Sequence, residues 1–214
     1  IVHASDLIFK FRKELSEKLK YRLVNKHTGE PLKVVDHIGC HYAKIFPEKG
    51  IGGAEYPYVL AGLTDEFGGE QVDYPERRHC CGFGFRQYLL KENRGYSVSN
   101  SKIKFDSMKP YKPDLIIGNC PGCTFFLDRW QYVIAEMEGI TYGENGYGIP
   151  SLTYEEITAL LMGYNPWDIG LQVHQVAIEP LLDKIGIEYN RSEKYLGANG
   201  ENIGEPALPK VLMQ

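Results

Sequence analysis

The chain has 214 residues, of which 43% are hydrophobic and 24% charged, the balance of one globular domain with appended segments rather than of a disordered or fibrous chain. A net charge of −4 argues against a general nucleic-acid binder, which is normally basic. No apolar run approaches the ~18 residues of a membrane-spanning helix, and no basic-then-apolar leader opens the chain, so a cytoplasmic location is expected. The first residue is Ile1, not Met, and the chain is read as a piece of a longer polypeptide.

Residues 1–30 are charged and helix-prone. Leu7, Ile8 and Phe11, then Leu15, Leu19 and Leu23, recur at helical spacing and predict one or two amphipathic helices ending near Thr28-Gly29. The charges within residues 10–26 are read as a solvated helix face. Leu32–Ile38 reads as a strand that runs into Cys40. Residues 44–53, with Pro47, Gly50, Gly52 and Gly53, read as a loop. Val59, Leu60, Leu63 and Phe67 make a helical stripe over 54–67, stopped by Gly68-Gly69.

Gln71–Tyr74 reads as a second strand leading to Cys80-Cys81. Helices are expected over Phe83–Leu90 and Tyr96–Met108, the latter stopped by Pro110 and Pro113. Asp114–Ile117 is a third strand, and Pro121 suits the first position of the following helix. In that helix Phe126, Trp130, Val133, Ile134 and Met137 form one face, read as core rather than as a cofactor box. Residues 139–150 are a Gly-rich loop. Thr153 and Glu156 form a capping-box pattern before Ile157, Leu160 and Leu161. Asn165-Pro166 is expected to open a short helix, and Pro180–Ile185 a last one, closed by Gly186. Residues 190–214 read as an extended arm. Alternating strands and helices imply an α/β fold with a mostly parallel sheet flanked by helices. In such sheets ligands bind beyond the carboxyl ends of the strands.

The five cysteines are Cys40, the vicinal pair Cys80-Cys81, and Cys120 and Cys123 in a C-x-x-C. An odd number without a secretion signal is a poor disulfide framework. Scattered core cysteines behave as small hydrophobes, but these lie beside Gly, Pro or His in three loops, each after a predicted strand, and are expected to converge on one rim of the sheet. Zinc takes four ligands, and a cubane [4Fe–4S] cluster takes four cysteines. Five exceed both, which leaves either a spare cysteine or an iron–sulfur cluster with unusual bridging. The helix starting at Pro121 is expected to favour thiolates at Cys120 and Cys123, and Gly82 and Gly122 to leave room for inorganic sulfide and for N–H···S bonds.

The pattern C-x39-C-C-G followed by C-P-x-C resembles the cysteine-rich CCG domain found in the B subunits of heterodisulfide reductases and their relatives. Ile38-Gly39-Cys40-His41, Val72-Asp73-Tyr74, Cys80-Cys81-Gly82, Asn119-Cys120-Pro121, Asn165-Pro166 and Gln172-Val173-His174 extend the likeness over about residues 30–186. The resemblance, which is to the second of the two domains in such proteins, implies a noncubane [4Fe–4S] cluster held by Cys40, Cys80, Cys81, Cys120 and Cys123. It also implies reductive cleavage of a small thiol/disulfide substrate between two facing clusters, with electrons from a partner iron–sulfur subunit. On this reading residues 1–30 are an N-terminal helical segment, 31–189 the cluster-binding domain and 190–214 the C-terminal arm. Only one cysteine set is present, and Phe83-Gly84-Phe85 is bulkier than the glycine-rich stretch usual after the pair.

His41 and His79 flank ligand cysteines and are candidates for proton delivery or a bond to sulfur, although solvated loop histidines are the commoner finding. Arg86 and Arg129 are candidates for holding a substrate carboxylate or phosphate, against the commoner surface salt bridge. His174 is read as structural or interfacial. Two rival readings stand beside the redox subunit: a zinc- or cluster-binding protein used only for structure or docking, and a metal-free thiol oxidoreductase acting through Cys120 and Cys123.

Overall fold

A computed structural model describes residues 2–45, 50–83, 94–146 and 148–189. Four strands, β1 (Lys33–His37), β2 (Glu70–Gln71), β3 (Leu115–Gly118) and β4 (Ser151–Thr153), form one sheet in the order β2-β1-β3-β4, and every pairing is parallel. The expected parallel α/β architecture is therefore present. The two central strands carry consecutive buried apolar residues, Val34-Val35 in β1 and Leu115-Ile116-Ile117 in β3, because both faces are covered. Val34, Leu115, Ile117 and Leu152 bury one face under α4 (Val59–Glu66), α7 (Tyr154–Leu161) and α8 (Glu179–Ile185). Val35 and Ile116 bury the other under α5 (Arg94–Met108) and α6 (Pro121–Glu138).

Local signals set most boundaries. Thr153 accepts from the Glu156 amide while the Glu156 carboxylate accepts from the Thr153 amide, completing the capping box of α7. Pro121 opens α6, and Gly139, in the left-handed region, closes it. Phe126, Trp130 and Ile134 are buried as expected, whereas Met137 lies 68% exposed in the last turn, beyond the reach of the core.

Four expectations need correction. The N-terminal helices, α1 (Ala4–Lys10) and α2 (Arg12–Ser16), end well before Thr28. The chain beyond them unwinds because the amides of Lys20 and Tyr21 bond Leu161 O and that of Leu23 bonds Phe67 O, seating Leu23 in the core. Strand β2 is shorter than expected, since after Val72 the chain turns away toward Pro75. β4 lies between the loop read over 139–150 and the helix cap read at Thr153, where no strand is expected. Asn165-Pro166 opens a run of turns rather than a helix: the Asn165 side chain accepts the Trp167 amide, and a single 3₁₀ turn, Leu171–Val173, follows. The expected helix over Phe83–Leu90 lies, after Phe83, outside the described residues, as does the arm from residue 190. No described helix is long and apolar enough to cross a membrane.

Candidate metal centre

The chain leaves β1 toward α4 on one face of the sheet and leaves β3 toward α6 on the other. The carboxyl ends of these neighbouring strands are thus a topological switch point, where open α/β sheets place their ligands. Cys40 begins α3 (Cys40–Ile45) just beyond β1, and Cys120 caps α6 just beyond β3. The two loops touch: the Gly39 amide donates to Asn119 Oδ1 at 2.8 Å, and a Cβ on Gly39 would stand 2.7 Å from Cys120 Cβ.

The vicinal pair is positioned by α5. Ser97, Ser101 and Lys104 recur on one helix face, and all three are fully buried. Ser97 Oγ donates to Gly82 O at 3.1 Å, and Ser101 Oγ to Cys81 O at 2.7 Å. The Lys104 ammonium donates to the carbonyls of Glu76 and Arg77 and to the Tyr74 hydroxyl, at 2.7–2.8 Å. Three buried donors therefore hold the carbonyls of the chain that leads into and out of Cys80-Cys81. Gly82, at φ 85°, lies so close to α5 that a Cβ would stand 2.5 Å from Ser97 O. A Cβ on Gly122 would meet the Phe83 ring at 2.6 Å. The expected open space beside both glycines is therefore filled by protein. The N–H···S bond is present, from the Gly82 amide to Cys80 Sγ at 3.3 Å.

All five cysteines are free thiols; Cys81 and Cys123 are buried, Cys120 is half-buried, and Cys40 and Cys80 are exposed. Hydrogen bonds link Cys80 to Cys81, Cys81 to Cys123 and Cys123 to Cys120, while Cys40 is close enough to Cys80 to act on its charge. The sulfurs alternate in proton affinity. Cys81 accepts from Cys123 and Cys80 and is held far below the ordinary thiol range, while Cys80, bonded to Cys81 and desolvated, is pushed up. Cys120 is lowered to about 6, first by the Cys123 thiol and then by the Cys123 and Gly122 amides, against burial. Those amides face the sulfur without forming a well-directed cap. Cys123 departs from the expected thiolate: flanked by Cys120 and Cys81, it keeps its proton and is pushed up.

His37, at the end of β1, joins the site although nothing local in the sequence marks it. Its ring lies within 4.8 Å of the Cys81 and Cys123 sulfurs, and its buried Nδ1 has no partner. Burial first, and the Lys104 charge second, lower its pKa. Asn119 Nδ2 and His79 Nε2, each beside a ligand-candidate cysteine, are also buried and unpartnered. Buried polar atoms without partners carry a desolvation cost of about 1–3 kcal/mol each unless something pairs them. A thiol-rich rim surrounded by orphaned donors fits a metal or iron–sulfur group, whose cation suits the thiolates and whose sulfur atoms accept N–H groups.

Residues 34–128 match the family described as the CCG cysteine-rich domain. The matched stretch contains all five cysteines. It is 30% identical over 189 residues to the B subunit of the ferredoxin:CoB-CoM heterodisulfide reductase of Methanosarcina acetivorans, a match covering 87% of this chain and 56% of that protein. It is 31% identical over 171 residues to the protein of that name from Methanosarcina mazei, covering 79% and 53%. A protein of Archaeoglobus profundus, described as similar to the heterodisulfide reductase B subunit, is 29% identical over 154 residues, covering 70% and 48%. The chain spans about half the length of these relatives.

The remaining expected site residues are scattered. His41 is exposed in α3, next to Cys40. His79 is half-buried, with Nδ1 3.6 Å from Glu76. Arg86 lies outside the described residues. Arg129 is half-buried on α6 and is engaged by its surroundings. His174 is structural, as expected: buried between Asp128 and Glu156, it is raised to about 9 because those two carboxylates outweigh its burial. A cavity of about 560 Å³, lined in part by Lys33, Lys112, Asp114 and Lys184, lies at the opposite rim, by the amino ends of β1 and β3, and contains no cysteine.

Proposed function

We propose that the chain is an iron–sulfur redox subunit of a heterodisulfide-reductase-like complex, holding a noncubane [4Fe–4S] cluster on Cys40, Cys80, Cys81, Cys120 and Cys123. The carrying observation is that sulfurs from three loops, far apart in sequence, gather at one rim of a parallel sheet. The names of the relatives support a redox role. When bound, such a cluster supplies one-electron chemistry and iron sites with an affinity for sulfur.

In this reading residues 31–189 are the cluster-binding unit, between an N-terminal segment (1–30) and a C-terminal arm (190–214). Gly39 and Asn119 hold the first and third cysteine loops in register, and α5 holds the second. His37, buried beside Cys81 and Cys123 with its Nδ1 unpartnered, would be placed to donate to a sulfur of the bound group. His41 and His79 deliver protons to a leaving thiolate, and Arg86 orients a charged substrate group. The substrate is a small thiol or disulfide, and an iron–sulfur electron-transfer subunit of the same complex exchanges electrons with the site. A cytoplasmic setting keeps the five thiols reduced.

Iron and sulfide analysis of the anaerobically purified chain tests this. About four iron per chain is expected. Zinc without iron would replace the reading with a structural or docking role, to which the cluster of His37, Cys81 and Cys123 lends itself. Absence of metal would leave a thiol oxidoreductase acting through Cys120 and Cys123. Cys81→Ala is expected to lose or alter the cluster spectrum, whereas a four-cysteine cubane formed without Cys81 would leave it unchanged.

A further inference from the structure

Lys104 is fully buried, yet no carboxylate lies within ion-pair distance of it among the described residues. Its ammonium is bonded only by neutral oxygens, those of Tyr74, Glu76 and Arg77, and lies 4.9 Å from the centre of the Tyr74 ring. The carboxylate buried nearby, Asp36, is already taken by Arg77 in a bidentate pair at 2.5 and 2.7 Å. When Lys104 is protonated, Asp36, Arg77 and Lys104 leave one positive charge in excess inside the fold, and burial opposes that charge, lowering the lysine to about 7 in the absence of a further anion. Buried charges normally have a counter-charge, because an unpaired one is strongly destabilising. The anionic groups that act on Lys104 besides Asp36 are the sulfurs of Cys81 and Cys123, ahead of Glu76.

We propose that Lys104 is the resident counter-charge of the metal centre, a positioning residue that holds the Cys80-Cys81 turn by its hydrogen bonds and raises the centre's reduction potential by its charge. This rests on the reading of the site as an iron–sulfur centre. A fixed positive charge beside a redox group favours its reduced, more negative form, so removing that charge shifts the equilibrium toward the oxidised form. The geometry also separates two roles. The hydrogen bonds to Glu76 and Arg77 can be partly kept by a neutral amide, whereas the charge cannot.

The test compares Lys104→Gln and Lys104→Arg with the wild-type chain, purified anaerobically, by iron content and by spectroscopic redox titration. Lys104→Gln is expected to shift the reduction equilibrium about tenfold toward the oxidised form, a fall of about 59 mV for a one-electron couple, and Lys104→Arg to stay within about threefold of wild type. If Lys104→Gln fails to retain iron while Lys104→Arg retains it, the need for charge is equally supported. An unchanged potential in Lys104→Gln, or loss of iron in both variants, would overturn the proposal in favour of a purely structural lysine. Wild-type iron content is measured first. Its absence counts against the iron–sulfur reading itself, whereas a wild-type cluster with an unshifted variant counts only against Lys104.

Discussion

The Gly39 amide donates to the side-chain oxygen of Asn119 across the ends of two adjacent parallel strands. This contact sets the spacing between the first and third cysteine loops, and Gly39 has no room for a side chain against Cys120. Gly39→Ala is expected to force the loops apart, lowering stability by about 1–3 kcal/mol and lowering metal content more than proportionally. Urea denaturation and metal analysis of the same preparation check this; wild-type values for both would show that the loops do not depend on this contact.

Arg77 and Asp36 form a buried bidentate pair beneath the same rim. Arg77→Met leaves a fully buried carboxylate with its nearest cation removed, at an expected cost of about 3–5 kcal/mol. Asp36→Asn combined with Arg77→Met should recover part of that loss. A double-mutant cycle with additive losses would mean that the two side chains do not interact energetically.

His174 gives the fold a pH dependence. Its pKa rises from 6.5 to about 9 on folding, so its contribution is complete below about 6.5 and disappears as pH climbs to about 9. Glu156, lowered in the fold despite its burial, works the other way: its contribution is present above its ordinary value of 4.5 and is lost as pH falls below it. Stability of the metal-free chain is therefore expected to fall by up to ~3 kcal/mol between pH 6.5 and 9. His174→Gln should flatten that limb. Equal slopes for wild type and variant would place the pH dependence elsewhere.

At the start of α7, Thr153→Ala removes the acceptor of the Glu156 amide. The expected loss is ~1 kcal/mol, measured by thermal or urea unfolding, with Thr153→Asn close to wild type. An alanine variant as stable as the parent would mean that packing alone fixes this helix start.

The parts of the site legible in the sequence were those with short-range signatures. Cysteines beside Gly and Pro after strand-like runs located the three loops, because a parallel sheet leaves little choice about where strand ends go. Thr153 and Glu156 marked a helix start for the same local reason. Lys104 and His37 carry no such mark. Lys104 sits in the run Ser101-Lys102-Ile103-Lys104 of an expected helix, where nothing marks it as buried until α5 is packed against the Cys80-Cys81 turn. The spacing of Ser97, Ser101 and Lys104 was the available clue, but nothing local says which face of that helix is covered. Strand β4 escaped notice because three residues are too few for a two-residue period to show.

The exposure of the cysteines is graded from solvent inward, with Cys40 and Cys80 outermost and Cys81 and Cys123 innermost. Among the described residues, Cys40 and Cys80 are therefore the sulfurs most open to reagents. Oxygen or an alkylating agent will reach Cys40 before the buried Cys81 and Cys123, while Cys80, exposed but with its thiol pushed up, reacts more slowly than its exposure alone implies, an order that peptide mapping after brief air exposure would record.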